Sequence, residues 1–285
     1  MTRKTVHLLI IDPQNDFCDL PDAGRDGEAP ALPVPGAHAD MLRLAALIER
    51  AGEDIGNITI TLDSHLRLDI AHPGFWQQGD GSPVSPFTPI RAADVKAEKF
   101  LPRAANALPH AIAYLNALEA RGRHTHMVWP VHCELGAWGH NVHAAVHRAC
   151  NRWEDATGTN AEKILKGLDP RTEHYSAIRA EVPNPDSPGT LVNDALLDRL
   201  AEAGEILIAG IAGSHCVKAS VEDIVEYRPE TAKRIALLVD CMSPVTGFAE
   251  QQTAFIENMR SRGARIAMSA DILPESPRRT GKPQC

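Results

Sequence analysis

The sequence predicts an α/β fold of three layers, α/β/α, built on a mostly parallel, doubly wound sheet of six strands. Three observations carry that expectation. Short apolar runs alternate with longer helical patterns along the chain. Five of the six runs are continuously apolar, as strands covered on both faces must be. Several of the helical patterns close on a glycine, at Gly52, Gly122, Gly204 and Gly263.

In chain order, the first strand is expected at residues 6–12 (VHLLIID) and the first helix at 37–51. A second strand follows at 57–63 (NITITLD). Residues 66–107 break the rhythm, being dense in Pro, Gly and Asp (HPGFWQQGDGSPVSPFTPI). They read as a long insertion, spanning about 66–115, within one domain covering 1–285. A helix at 108–120 leads to a third strand at 124–130 (HTHMVWP). Helix 191–203, strand 205–211 (EILIAGI), helix 216–226, strand 234–240 (RIALLVD), helix 248–262 and strand 265–269 (RIAMS) complete the alternation.

The composition narrows the partners. A chain of 285 residues, 44% hydrophobic and 23% charged, can bury one large core. Its net charge of -8 and its lack of a long Lys/Arg cluster argue against nucleic acid or an anionic membrane surface and favour a small molecule. The start, MTRKTVHLLIIDPQNDF, lacks the cleavage site of a signal peptide, and no apolar stretch approaches the roughly 20 residues that span a bilayer, so a cytoplasmic protein is expected. The six cysteines, Cys18, Cys133, Cys150, Cys216, Cys241 and Cys285, are widely scattered and read as free thiols. The oligomeric state is left open, a homo-oligomer included.

Four reactive side chains fall at predicted strand ends. Asp12 ends the first strand, Asp63 the second, His132 follows the third, and Cys216 opens the helix after EILIAGI. Open α/β sheets form their sites at the carboxyl ends of strands, near the point where strand order reverses. In GIAGSHCVKAS, Cys216 sits at a helix start, where the dipole and free N–H groups favour a thiolate, so it can serve as a nucleophile. The N–H groups there, with that of Ala212, can hold an oxyanion. A cysteine hydrolase also needs a proton acceptor, which Asp12 supplies if the first strand neighbours EILIAGI. A carboxylate beside a thiolate calls for a cation, and Lys166 in EKILKGLD is the best candidate. Taken singly, each is ordinary: a small buried cysteine, a strand-ending turn, a surface lysine.

Asp63 and His65, at i and i+2 in TLDSHL, share one face of an extended chain and can chelate one ion. His132, at the equivalent edge of the third strand, supplies a third ligand. His72 in DIAHPGFW is a fourth ligand or a partner of the ligands. Asp with two His leaves positions open for water or substrate, as catalytic sites require. His124, His126, His140, His143 and His147 read as ordinary hydrogen-bonded residues.

Together, LLIIDPQNDF, TLDSH, WPVHC, KG with YSAI downstream, and GIAGSHCVKAS followed by LLVDCMSP resemble the isochorismatase-like cysteine hydrolases, with WPVHC most like the nicotinamidases. The resemblance implies Cys216 as nucleophile, Asp12 as acid/base, Lys166 as the supporting cation, and the Ala212 and Cys216 N–H groups as the oxyanion hole, with a cis peptide before Ala212. It implies Asp63, His65 and His132 as metal ligands, for zinc first, or for iron or manganese. Phe17 and Trp129 would sandwich a pyridine ring. The implied reaction is hydrolysis of nicotinamide to nicotinic acid and ammonia, an amide hydrolysis in NAD metabolism. Where the family commonly has Thr-Asp after the oxyanion-hole Ala, this chain has GSH. Two further readings stand beside it: a related hydrolase acting on another amide, a ureide or isochorismate, and a non-catalytic small-molecule-binding protein on the same fold.

Overall fold

The computed structural model of the chain describes residues 5–22 and 27–272. Its spine is a six-stranded sheet in the order β10-β9-β8-β1-β2-β7, and every pairing in it is parallel. The strands are β1 (Val6–Ile11), β2 (Ile55–Asp63), β7 (Glu162–Lys166), β8 (Glu205–Gly210), β9 (Ile235–Leu238) and β10 (Arg265–Ala267). The order runs outward in two directions from β1 and β8, which is the reversal that opens a crevice at the carboxyl ends. β1 and β9 are buried along their whole length, and β8 is buried from its second residue on. That explains their continuous apolar sequences, since both faces are covered by helices.

The covering helices are α1 (Ala37–Ala51), α4 (Ala144–Thr157), α5 (Asp194–Glu202), α6 (Cys216–Tyr227) and α7 (Ala249–Ser261). The helix α1 matches its expected bounds and buries Met41, Leu44, Leu47 and Ile48 on one face. The sequence reading passed over α4, although Val146, Ala149, Cys150 and Trp153 recur at helical spacing on its buried face. Its N-cap is His143, whose ring accepts the Ala145 N–H at 3.3 Å, an unusual cap residue that gives little start signal.

One strand expectation needs correcting. The third predicted strand, 124–130, is not in the main sheet. It shortens to β6 (His126–Val128), which pairs antiparallel with β4 (Thr88–Ile90). The edge beside β2 is taken instead by β7, whose half-exposed residues alternate and so lack a continuous apolar run. Around β6 lies a second, smaller core of Ile70, Trp76, Ile90, Phe100, Tyr114, Leu115 and Val128. It is framed by β3 (Trp76–Gln78) paired with β5 (Phe100–Pro102), by the short α2 (Ala92–Lys96) and by α3 (Leu108–Arg121). The Pro- and Gly-rich stretch thus carries secondary structure and a core of its own.

Five cysteines, Cys18, Cys133, Cys150, Cys216 and Cys241, are buried and free, and Cys285 lies outside the described residues. No helix among the described residues is long and apolar enough to cross a membrane.

Candidate active site

The sheet register assembles the site. Ile11 pairs with Gly210 across β1 and β8, so Asp12 emerges beside the turn that leads to Cys216 at the start of α6. On the other side Asp63 pairs directly with Lys166 across β2 and β7. Gly210 permits the close approach: its φ is +130°, and an added Cβ would fall on the Ile11 backbone. The Ile211–Ala212 peptide that follows is cis, as the resemblance implied.

Lys166 is the hub. Its Nζ lies 2.9 Å from Asp12 Oδ2, 2.9 Å from Asp63 Oδ1, 2.8 Å from the His174 carbonyl and 3.8 Å from Cys216 Sγ. Asp12 is fully buried and also accepts the Thr61 hydroxyl at 2.6 Å. Gln14 holds Asp63 in place by pairing with both its backbone N–H and C=O at 2.8 Å. Burial raises the Asp12 pKa above the usual carboxylate range despite the Lys166 ammonium, while Asp63, also opposed by burial, is held well below it by Lys166 and His65. Lys166 stays charged, because its two carboxylates outweigh the burial that would lower it. For Cys216, burial wins over the nearby ammonium and pushes the thiol well up. Burial thus opposes the ionisation that the helix start was expected to favour.

Beside this group stand His65, His72 and His132, whose donor atoms lie within 4.8 Å of one another. Asp63 Oδ2 faces two of them, at 3.1 Å from His65 Nε2 and 3.4 Å from His132 Nε2. His65 Nδ1 meets Asp69 Oδ2 at 3.1 Å, and His132 Nδ1 donates to the Pro130 carbonyl at 2.8 Å, the outer contacts that orient ligating rings. His72 is held neutral, its pKa lowered to about 2 mainly by burial, and its Nδ1 is buried without a hydrogen-bond partner. His65, between two carboxylates, has its pKa raised well up in spite of burial, so the spot favours positive charge. Three imidazoles and a carboxylate fit a divalent transition ion. His72, an open alternative in the sequence, is thus drawn in with His65 and His132.

A cavity opens over Cys216 and Ala212. Phe17, Trp129, Tyr175 and His215 give it aromatic walls, Leu32, Val34 and Val245 aliphatic ones, and Asp63, His132 and Glu173 polar ones. The Trp129 indole donates to the Tyr175 hydroxyl at 2.9 Å, which fixes both rings. Every site residue named from the sequence is therefore found in one region. Glu173, Asp69 and Thr61 carried no sign in the sequence: Thr61 meets Asp12 across 49 residues, Asp69 meets the nearby His65 without a motif to mark it, and Glu173 joins the cavity only in the folded chain. His215 was visible only as a departure, the last residue of GSH, and it forms pocket wall.

No protein-family model and no curated protein sequence matches the chain. Solved structures do. A nicotinamidase/pyrazinamidase from Acinetobacter baumanii is 18% identical with a TM-score of 0.60, covering 96% of this chain and all of its own. An isochorismatase-like hydrolase from Alkaliphilus metalliredigens is 15% identical with a TM-score of 0.51, covering 94% of this chain and 97% of its own. This chain has the isochorismatase-like fold. A pyrazinamidase of Pyrococcus horikoshii, in complex with zinc, shares that fold at 19% identity and a TM-score of 0.51, with 92% and 98% of the two chains covered. In an isochorismatase-like fold, the strand-end position of Asp12, Lys166 and Cys216 is also where an open α/β sheet forms its crevice.

Proposed function

We propose that the protein is a metal-containing cysteine amidohydrolase that converts nicotinamide, or a close heteroaromatic carboxamide, to the acid and ammonia through a thioester on Cys216. The observation that carries this reading is the convergence of Asp12, Asp63 and Cys216 on the one buried Lys166 ammonium, beside a triad of histidines. The zinc complex of the pyrazinamidase that shares the fold supports the metal.

The chemistry follows from which group can hold a proton. Asp12 takes the thiol proton as Cys216 Sγ attacks the carboxamide carbon, and Lys166 keeps the negative charge that passes between them from being isolated in a dry site. The N–H groups of Ala212 and Cys216 hold the oxygen that becomes negative. Collapse breaks the C–N bond, and Asp12 returns the proton to the departing nitrogen, which leaves as ammonia. Water, deprotonated by Asp12, then attacks the thioester carbon, the C–S bond breaks to release the acid, and the proton on Asp12 returns to Cys216 Sγ. Phe17 and Trp129 hold the ring between them. His65, His72, His132 and Asp63 would hold a divalent ion, zinc first among the candidates, which when bound would supply a Lewis acid for a ring nitrogen of the substrate.

Ammonia release from metal-replete protein tests the reading. Nicotinamide and pyrazinamide carry a ring nitrogen that benzamide lacks, and they are expected to exceed benzamide in kcat/KM by on the order of 10² or more. Equal turnover of benzamide would remove the role of the ring nitrogen, and no ammonia from any of the three would remove the amidase.

A further inference from the structure

The proposed chemistry leaves one carboxyl of the cavity idle. Glu173 is 4% exposed and lines the pocket. Its Oε1 accepts the His174 N–H at 3.0 Å, while its Oε2 is buried and has no hydrogen-bond partner among the described residues. The backbone that carries it is held at the cavity wall. The next two residues are anchored on the same wall, His174 through its carbonyl on Lys166 at 2.8 Å and Tyr175 through the Trp129 indole at 2.9 Å. A buried carboxyl oxygen left without a donor costs stability, and such a cost persists where a ligand removes it.

We propose that Glu173 determines specificity: its free oxygen receives a hydrogen bond from a donor on the substrate ring, an amino or hydroxyl group distinct from the carboxamide. The substrate class is then donor-substituted heteroaromatic carboxamides. The inference rests on the amidase reading above. The carboxamide is engaged elsewhere in the proposed chemistry, its carbon meeting Cys216 Sγ and its nitrogen Asp12, both beside Lys166, so the donor sought is on the ring. A ring substituent that is apolar fills the same space and leaves Oε2 unpaired, which is the condition under which sites discriminate most strongly.

Ring-amino nicotinamides compared with the ring-methyl nicotinamides of the same position test this, since the methyl group controls for shape. Assayed above pH 8, where Glu173 is ionised and its free oxygen accepts, the wild-type amino/methyl ratio of kcat/KM at one ring position is expected to be 10 or greater. Glu173→Gln replaces the free oxygen by an NH2 group, because the His174 N–H keeps the amide oxygen on its own side, so a donor then faces a donor. The ratio is expected to fall to about 1 or below, with the melting temperature held. Equal ratios in the two proteins at every position would overturn the proposal and leave a bound water as the partner of Oε2. Should no ring be hydrolysed, the amidase reading falls separately. The same ratio is then read as equilibrium binding to Cys216→Ala protein with and without Glu173→Gln, where a wild-type preference lost in the Gln variant supports the role and an unchanged one overturns it.

Discussion

Asp12, Lys166 and Cys216 form one buried cluster of ionisable groups. Burial raises the thiol pKa and the two carboxylates keep Lys166 charged, so in the proposed mechanism attack begins with proton transfer to Asp12. Asp12→Asn keeps the shape and removes the acceptor. It is expected to lower kcat by roughly 10²-fold or more with little change in KM, as steady-state kinetics will read. Cys216→Ala should end turnover while the circular dichroism spectrum and melting temperature stay near wild type. These residues were legible in the sequence because chemistry-bearing side chains at strand ends are few. Glu173 and Thr61 were not, since an unpaired oxygen or a hydroxyl on a carboxylate exists only once distant segments meet.

The elements divide in the same way between what local pattern carries and what tertiary packing decides. Continuous apolar runs gave β1, β8 and β9, and the stripe on α1 gave its bounds. The edge strand β7 has no such run, because one side of it faces solvent, while the apolar 124–130 stretch spends its burial in the smaller core. The pairing of β1 with β8 is the element on which the site depends most. Gly210→Ala would place a Cβ against the Ile11 backbone in a conformation that L side chains rarely adopt. Loss on the order of 3 kcal/mol or more of stability is expected, together with activity, as Asp12 and Cys216 part. Gly189→Ala, with nothing near its added Cβ, should change a denaturant midpoint little.

Across the whole molecule, buried imidazoles set the response to acid. Burial lowers His7, His126, His143 and His215 to about 4 and His174 to about 3, from 6.5. Below pH 6.5 the unfolded chain therefore binds more protons than the folded one, and each such residue withdraws on the order of 1 to 3 kcal/mol as pH falls toward its folded value. Glu173, raised to about 7 by burial, acts in the opposite sense, its contribution being complete below about 4.5 and lost as pH rises through 7, and Asp12, Asp40 and Glu181, also raised by burial, act with it. The five histidines outnumber these four carboxyls. Denaturant midpoints are expected to fall steadily from pH 6.5 to pH 4, and a flat profile would show these rings to be hydrated.

His65 and His132 meet across a span of about 67 residues, and the smaller core hangs between them. An ion held by both would close that span as a loop. Loop-closure entropy alone makes a cross-link of this length worth about 4 kcal/mol. Removing the metal with a chelator is expected to lower the melting temperature by several degrees and to speed amide exchange first in residues 70–128. In a chain whose described cysteines are all free, a chelator would then act as a reducing agent acts on a secreted protein, cutting the staple without touching a covalent bond.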